Sequence, residues 1–401
     1  MSGYEAARVR LIEPSPSITI STAAKELRAA GEPVIDLSLG EPDFDTPPNV
    51  VEAAYAAMKR GETRYTPPDG TPTLKDAVLE KFQRENGLSF ERANISCANG
   101  AKQVIFNALM ATLEPGDEVI CPAPYWGSYI DMTLLLGGAP KVIKCPIGDG
   151  FKLTPTALEP VITPQSRWLM LNSPSNPSGA TYSTDELRAL GAVIGRHPRL
   201  MVMSDEIYEQ IYYADEPFAS FAAACPELAD QTVIVNGVAK AYAMTGWRIG
   251  YAAAPAALAR VMGKIQSQST SNPCSISQAA AIEALTGSQN FVTTARAEFQ
   301  ARRDQVISGL AAIPGVKIIE PTGAFYAFPN LGTFIGRRAP DGILMETDTD
   351  LATYLLREGK VAGVQGAAFG LSPYFRISFA LSRANLSTAV ERIHDALNAL
   401  Q

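Results

Sequence analysis

Residues 199–208 read RLMVMSDEIY, and residues 231–240 read QTVIVNGVAK. Each is an unbroken apolar run that stops at a cluster of polar groups. Neither alternates apolar with polar residues, so neither reads as a strand with one wet face. Such runs are buried on both sides, as in a parallel sheet covered by helices. The same texture continues in both directions, from about 94 to 255. NISCA, DEVICPAP, PKVIKCPI, SRWLMLNSP and WRIGYAAA are further expected strands. Between them lie expected helices: AKQVIFNALMATL closed by EPGD, then YWGSYIDMTLLLGG, TPTALEPVI and STDELRALGAVIG. The last opens with a capping box, Ser183 to Glu186.

Beyond about 285 the pattern changes. A long charged helix, ARAEFQARRDQVISGLAAI, leads to short strands VKIIE and AFYAFP. A polar segment at 332–347, the helix DLATYLLREG, the strand FRISFA and a terminal helix follow. The expectation is an α/β protein. Residues 47–288 form a large domain with a mostly parallel sheet. Residues 1–46 and 289–401 form a smaller α+β domain.

Composition narrows the function. The 401 residues are 46% hydrophobic and 19% charged, with a net charge of −7 and no dense Lys/Arg cluster, which argues against nucleic acid. The five cysteines are scattered and form no C-x-x-C pair, so neither a disulfide framework nor a zinc site is expected, and a reducing cytoplasm is. The only histidines, His197 in GRHPRL and His394 in the terminal helix, leave little room for a Ser-His-Asp triad or a histidine metal site. The opening MSGYEAARVRLIEPSPS has charges and no apolar core, so no secretion signal is expected. No apolar run is long enough to suggest a membrane span.

Ligands of open parallel sheets bind at the carboxyl ends of the strands. The polar oddities fall there: ANGAK, APYWG, NSPSNPSG, SDEIY and NGVAK. Lys240 stands just after VIV, between Ala239 and Ala241, an unusual place for a strongly hydrated amine. Gly100 opens a strand-to-helix turn whose free N–H groups suit an anion, although a plain turn reads equally well. Arg248 offers a bidentate fork for phosphate. Asp205 ends an apolar strand, as the cap of a helix over EIYEQIYY or as the partner of a protonated heterocyclic nitrogen. Asn176 could reach a ligand oxygen or only shape a turn, and Trp126 could stack on a ring or fill the core. Taken together, an anion cradle, a fork, a carboxylate, an amide, an aromatic plate and an isolated lysine match the needs of pyridoxal phosphate.

NGVAKAYAMTGWRIGY, NSPSNPSGA, SDEIYE, GEPDFDTP, PYWGSY, GAFYAFP and FRISFA, in that family's order, closely resemble the class I aminotransferases of fold-type I. The bacterial aspartate aminotransferases, including the bifunctional aspartate/prephenate subgroup, are nearest. The likeness runs from about residue 8 to 398. It implies that Lys240 binds the cofactor covalently and shuttles the proton, and that Asp205 pairs with the ring nitrogen. Tyr208 and Asn176 would hold the phenolic oxygen, and Trp126 would stack on the ring. Arg248 with the backbone of Gly100, Ala101 and Lys102 would bind phosphate. Tyr65 would reach the phosphate of a partner subunit, in a homodimer with shared active sites. Arg376 and Gly40 would bind the substrate α-carboxylate, and Phe325 would line the pocket.

Two departures qualify the resemblance. Many relatives carry serines where Gly237 and Ala239 stand. The partner-chain arginine that some use for a distal carboxylate has no counterpart in SQSTSNPCS. The resembling subgroup uses a lysine matching Lys102 and a hydroxyl matching Ser17. The implied activity is transfer of the amino group of L-aspartate or L-glutamate to a 2-oxo acid. Alternatives on the same fold are prephenate, aromatic or kynurenine transamination and β-lyase chemistry. A transcription regulator built on this fold would need a DNA-binding module, and none is visible in the sequence.

Overall fold

In the computed structural model, which describes residues 3–401, the apolar runs assemble into one seven-stranded sheet. In spatial order its strands are Ile95–Ala98, Gly250–Ala253, Thr232–Gly237, Met201–Asp205, Ser166–Asn172, Glu118–Ala123 and Ala139–Lys144. From Thr232–Gly237 to Ala139–Lys144 all neighbours are parallel. Gly250–Ala253 runs antiparallel to both of its neighbours. Met170, Met201, Met203, Val233 and Val235 pack toward the helices Ala101–Thr112 and Ala256–Ser269. Leu169, Leu171 and Val202 pack toward Thr184–Ile194 on the other face. Alternate residues of a strand face opposite sides. With both sides covered by helices, the middle positions of the inner strands are apolar on both faces, and this is why the runs show no alternation.

Local chemistry sets most of the helix starts. Ser183 accepts from the Glu186 N–H, and the Glu186 carboxylate accepts from the Ser183 N–H at 2.8 Å. TPTALEPVI forms α-helix only over Pro155–Leu158 before a 3-10 turn, Glu159–Val161. Pro160 lacks the N–H that would continue the ladder.

EIYEQIYY does not form a helix after Asp205. The chain makes tight turns, with Glu209 N–H donating to Glu206 O and Ile211 N–H to Tyr208 O. Beyond them, Tyr213 N–H donates to Thr322 O and Ile211 O accepts from Ala324 N–H. Glu209 is buried and pinned by Lys81, by Asn86 Nδ2 at 2.9 Å and by Asn236 Nδ2 at 2.8 Å. A buried ion pair is costly to break from one side, so these partners outweigh the segment's helix propensity.

The remaining elements pack beside the sheet. Helix Asn290–Ala311 lies against Arg383–Asn398. Tyr326–Ala327, Phe375–Ser378 and Val364–Gln365 form a small antiparallel sheet. Ile35–Asp36 pairs in parallel with Val361–Ala362, which brings the early segment to the end of the chain. The expected strand VKIIE is reduced to one bridge, Lys317 to Asn330, because no further partner runs beside it.

The sheet and the helix Ala101–Thr112 touch at Gly250. A Cβ there would lie 2.2 Å from Ala101 N and 2.4 Å from Gly100 C, both backbone atoms that cannot rotate away. Gly250→Ala should therefore cost about 1–3 kcal/mol, the scale of overpacking. Urea denaturation checks this against Gly246→Ala, whose Cβ meets nothing within 4 Å. An equal effect in the two variants would contradict the contact.

Candidate active site

A cavity of about 430 Å³ opens at the carboxyl ends of the parallel strands. It brings together Lys240, Asp205, Tyr208, Asn176, Arg248, Ala101, Lys102, Trp126, Gly40, Ser17 and Arg376. These residues come from nearly every part of the chain, so only the fold assembles them.

Asp205 ends its strand at the cavity floor and is 4% exposed. Its Oδ2 accepts from Tyr129 Oη at 2.6 Å, and its Oδ1 from the Ile207 N–H at 3.3 Å. Burial pushes the carboxyl up to about 6, and those bonds with Lys240 only partly oppose it. A buried carboxylate this poorly compensated fits a cation delivered by a ligand.

Lys240 follows the strand Thr232–Gly237, and its Nζ donates to the Gly40 carbonyl at 2.5 Å. Desolvation by the cavity walls brings its amine down to about 8. Glu41 opposes the shift, and Arg248 and Arg376 add to it.

The start of Ala101–Thr112 has no side-chain cap, so its free N–H groups could cradle an anion. Gly100 has φ 88°, and a Cβ there would sit 2.4 Å from Arg248 Nη2. Arg248 itself takes a left-handed φ of 57°, unusual outside glycine. It is held by donation from Nη1 to Thr245 O at 3.0 Å and from Nη2 to Asn99 O at 3.4 Å. Neither Gly237 nor Ala239 adds a hydroxyl to this cradle.

Arg376, in the strand Phe375–Ser378 of the small sheet, lines the same cavity and is buried. Its Nη1 donates to Asn176 Oδ1 at 2.9 Å, and its Nη2 to Ser17 Oγ at 3.2 Å and to Ser38 O. Its Nε is buried without a partner. Lys102 Nζ sits 4.7 Å over the Trp126 ring, its amine lowered by burial and then by Arg248, with Asp131 opposing. The hydroxyls of Tyr208 and Tyr326 share a hydrogen bond of 2.8 Å.

Three of the expected residues are not in the cavity lining: Gly100, which adjoins it beside Arg248, Phe325, and Tyr65, which was expected at a partner subunit's site. Phe325 does not line the cavity. It is fully buried, packed on Tyr208 and Phe299 at centroid distances of 5.4 and 5.3 Å. Strand alternation turns its neighbour Tyr326 to the cavity instead. Tyr65 is 92% exposed and lines a separate surface groove with Arg64 and Thr66. Sequence reasoning did not single out Tyr129, Tyr326, Ser38, Glu41 or Lys25, although all but Ser38 line the cavity. Tyr129 carried a signal, because it lies three residues after Trp126 and so on the same side of a helical turn. Among the described residues, no group of three or more His, Cys, Asp or Glu side chains is placed to hold a metal ion, and no helix is long and apolar enough to cross a membrane.

The donor set fits pyridoxal phosphate: a cradle only glycine permits at Gly100, a desolvated carboxylate, a desolvated amine and an arginine with an unpartnered Nε. The environment of Lys240 gives a direct prediction for the cofactor-free protein. Its reactivity toward a limiting amine-acylating reagent, followed by mass mapping, should rise with pH through about 8, below the 10.5 of an ordinary lysine. Labelling in step with the exposed lysines would contradict the depressed value.

Comparison with known proteins agrees with this geometry. The family described as "Aminotransferase class I and II" matches residues 32–393. An "Aspartate aminotransferase" of Rhizobium meliloti (strain 1021) is 51% identical over 400 residues, covering 100% of this chain and 98% of the relative. An "Aspartate/prephenate aminotransferase" of Cereibacter sphaeroides is 53% identical over 382 residues, covering 95% of this chain and 96% of the relative. The crystal structure of the Rhizobium meliloti aspartate aminotransferase superposes with a TM-score of 0.96 over 99% of both chains, at 51% identity. The Thermus thermophilus aspartate aminotransferase with maleate gives 0.92 at 40% identity, covering 99% of this chain and 100% of the other. Likeness of this extent, in sequence and in fold, makes the chain a member of the class I and II aminotransferases.

Proposed function

We propose that this aminotransferase moves the amino group of L-aspartate or L-glutamate to a 2-oxo acid in two alternating half-reactions, with pyridoxal phosphate as cofactor. The observation that carries the reading is Asp205, a carboxylate buried at the floor of a cavity that also holds Lys240 and Arg376. The names of the relatives support the dicarboxylic substrate. The amides of Gly100, Ala101 and Lys102 with Arg248 would hold the phosphate. Asp205 would hold the ring nitrogen, Tyr208 and Asn176 the phenolic oxygen, and Trp126 the ring face. When bound, the cofactor supplies a conjugated ring that withdraws electrons from the substrate Cα.

The chain's residues do the rest. Arg376 grips the α-carboxylate beside Gly40 and fixes which bond at Cα faces the ring. Lys240, with its amine near 8, is partly neutral at physiological pH. Its Nζ can take the Cα proton and return it to the neighbouring carbon. Tyr129 and the Ile207 N–H keep Asp205 aimed at its partner. Lys102 and Ser17 would meet the distal carboxylate, which would otherwise be an unpaired buried charge.

Assembly follows from the surface. Tyr65 stands far out of this chain's own cavity, which suits service to a neighbour. Helix Pro48–Lys59 buries Val50, Ala54 and Ala57 but exposes Val51, Tyr55 and Met58 along the adjoining side. That stripe supports a twofold dimer with shared sites. The apolar cluster joining Leu37 to Phe299, Phe325, Leu355 and Ile393 supports a small domain of 1–46 and 289–401 against a large one of 47–288. Five free cysteines, four of them buried, support a reducing cytoplasm.

The test of function is a donor and acceptor screen on cofactor-loaded protein. Aspartate and glutamate should exceed alanine as donors, with 2-oxoglutarate and oxaloacetate as acceptors and prephenate as a further arm. No amino transfer from any donor would sink the proposal. Lys240→Ala should still take up pyridoxal phosphate but lose turnover by at least roughly 10²–10⁴, the general-base contribution alone. Wild-type turnover in that variant would contradict the assignment. Lys102→Ser should lower kcat/KM for aspartate and glutamate by about 1.5–3 kcal/mol, leaving alanine turnover and cofactor retention nearly unchanged. An equal loss for all donors, with weaker cofactor retention, would place Lys102 in the phosphate site instead.

A further inference from the structure

Tyr326 stands where the cofactor side and the substrate side of the cavity meet. Its hydroxyl lies 2.8 Å from the Tyr208 hydroxyl, and among the described residues neither has another hydrogen-bond partner. Its ring lies against the Arg376 guanidinium, with Cζ 4.7 Å from the ring centroid. A Cβ on Gly40 would fall 2.4 Å from the Tyr326 hydroxyl, so the bare Gly40 makes room for that group. The same Gly40 offers its carbonyl to Lys240 Nζ. One hydroxyl is thus packed against the residue that receives the lysine, bonded to the phenol beside the cofactor site, and backed by the arginine for the substrate carboxylate.

Each of two paired hydroxyls has one proton to place. If Tyr208 donates to Tyr326, its proton is used inside the protein and the cavity sees only an acceptor. If Tyr326 donates, the Tyr208 proton is free to turn into the cavity. The nearby guanidinium favours the second arrangement, because a cation against the ring makes the Tyr326 phenol the better donor. A chain of donors ending on an electron-rich ligand oxygen also strengthens each link.

We propose that Tyr326 is a positioning residue: it donates its proton to Tyr208 and so presents the Tyr208 proton to the cofactor's phenolic oxygen. The inference rests on the pyridoxal-phosphate reading above. The charged and titratable groups facing Tyr208 are Asp205 and Lys240 from the strand ends, Tyr129 from the helix Ser128–Leu135, Arg376 from the small sheet and Tyr326 itself. Among the described residues, only Tyr326 hydrogen-bonds to its hydroxyl.

The experiment is a pH titration of the absorbance of bound pyridoxal phosphate. It uses the wild-type protein, Tyr326→Phe, Tyr208→Phe and the double variant. Weaker donation to the phenolic oxygen stabilises the protonated form of the cofactor. Tyr326→Phe should therefore raise the midpoint by on the order of half a unit to one unit, the effect of one hydrogen bond. In the Tyr208→Phe background the same change should add nothing, because its effect runs through Tyr208. Gly40→Ala, which displaces the hydroxyl rather than deleting it, should also raise the midpoint. With aspartate, Tyr326→Phe should lower kcat and leave KM, since a phenyl ring still backs Arg376, whereas Tyr326→Leu should also raise KM.

An unmoved midpoint in Tyr326→Phe, or an equal shift in both backgrounds, overturns the inference while leaving the cofactor reading intact. No cofactor absorbance in the wild-type protein overturns both.

Discussion

The site depends on one unfavourable placement: a carboxylate, Asp205, at the end of a strand buried on both faces. Nothing in the protein fully compensates it. Tyr129 and the Ile207 N–H supply hydrogen bonds, but among the described residues Asp205 forms no salt bridge. Burial therefore raises the carboxyl to about 6, and the empty-handed carboxylate destabilises the fold once it ionises. An acid whose folded pKa is raised favours folding most when protonated, below the ordinary 3.8, and that contribution is lost as pH rises past about 6. A protonated ring nitrogen reverses the balance. On the proposed pyridoxal-phosphate reading the protein bears this cost to be ready for the cofactor, and the sheet and its helices hold the carboxylate in place.

The same desolvation acts on Lys240 in the opposite chemical sense. It makes an amine that would be protonated in water partly neutral near physiological pH. Arg248 and Arg376, proposed above to hold two anions, push it further in that direction. One dry cavity thus prepares an acceptor for a cation and a base for a proton. The proposed anion sites, Arg248 beside Gly100 and the Arg376 guanidinium, both line it.

How much of this the sequence carried can be followed residue by residue. The parallel sheet was legible because two covered faces leave no alternation in runs such as RLMVM and TVIVN. Asp205 and Lys240 were legible as cavity residues because polar groups directly after such runs need a reason to be there, and Arg248 because a guanidinium fork stands eight residues after Lys240. Tertiary contacts decided what was missed. The helix suggested after Asp205 lost to the buried pair of Glu209 and Lys81, whose halves are far apart in sequence. Phe325 and Tyr326 are neighbours of opposite parity, and only the register of Tyr326–Ala327 against Phe375–Ser378 fixes which one faces the cavity. VKIIE has strand composition but no neighbour to complete a ladder. The antiparallel direction of Gly250–Ala253 depends on the connection through 238–249 and leaves no mark in composition.

The central claim is that Asp205 exists to hold a protonated ring nitrogen. The direct measurement is the nitrogen chemical shift of pyridoxal phosphate labelled with nitrogen-15 in the ring, bound to the wild-type protein and to Asp205→Asn. The account predicts a protonated ring nitrogen across neutral and mildly alkaline pH in the wild type, and an unprotonated one in the variant. A ring nitrogen that is unprotonated in the wild type at neutral pH, or equally protonated in both proteins, would contradict it.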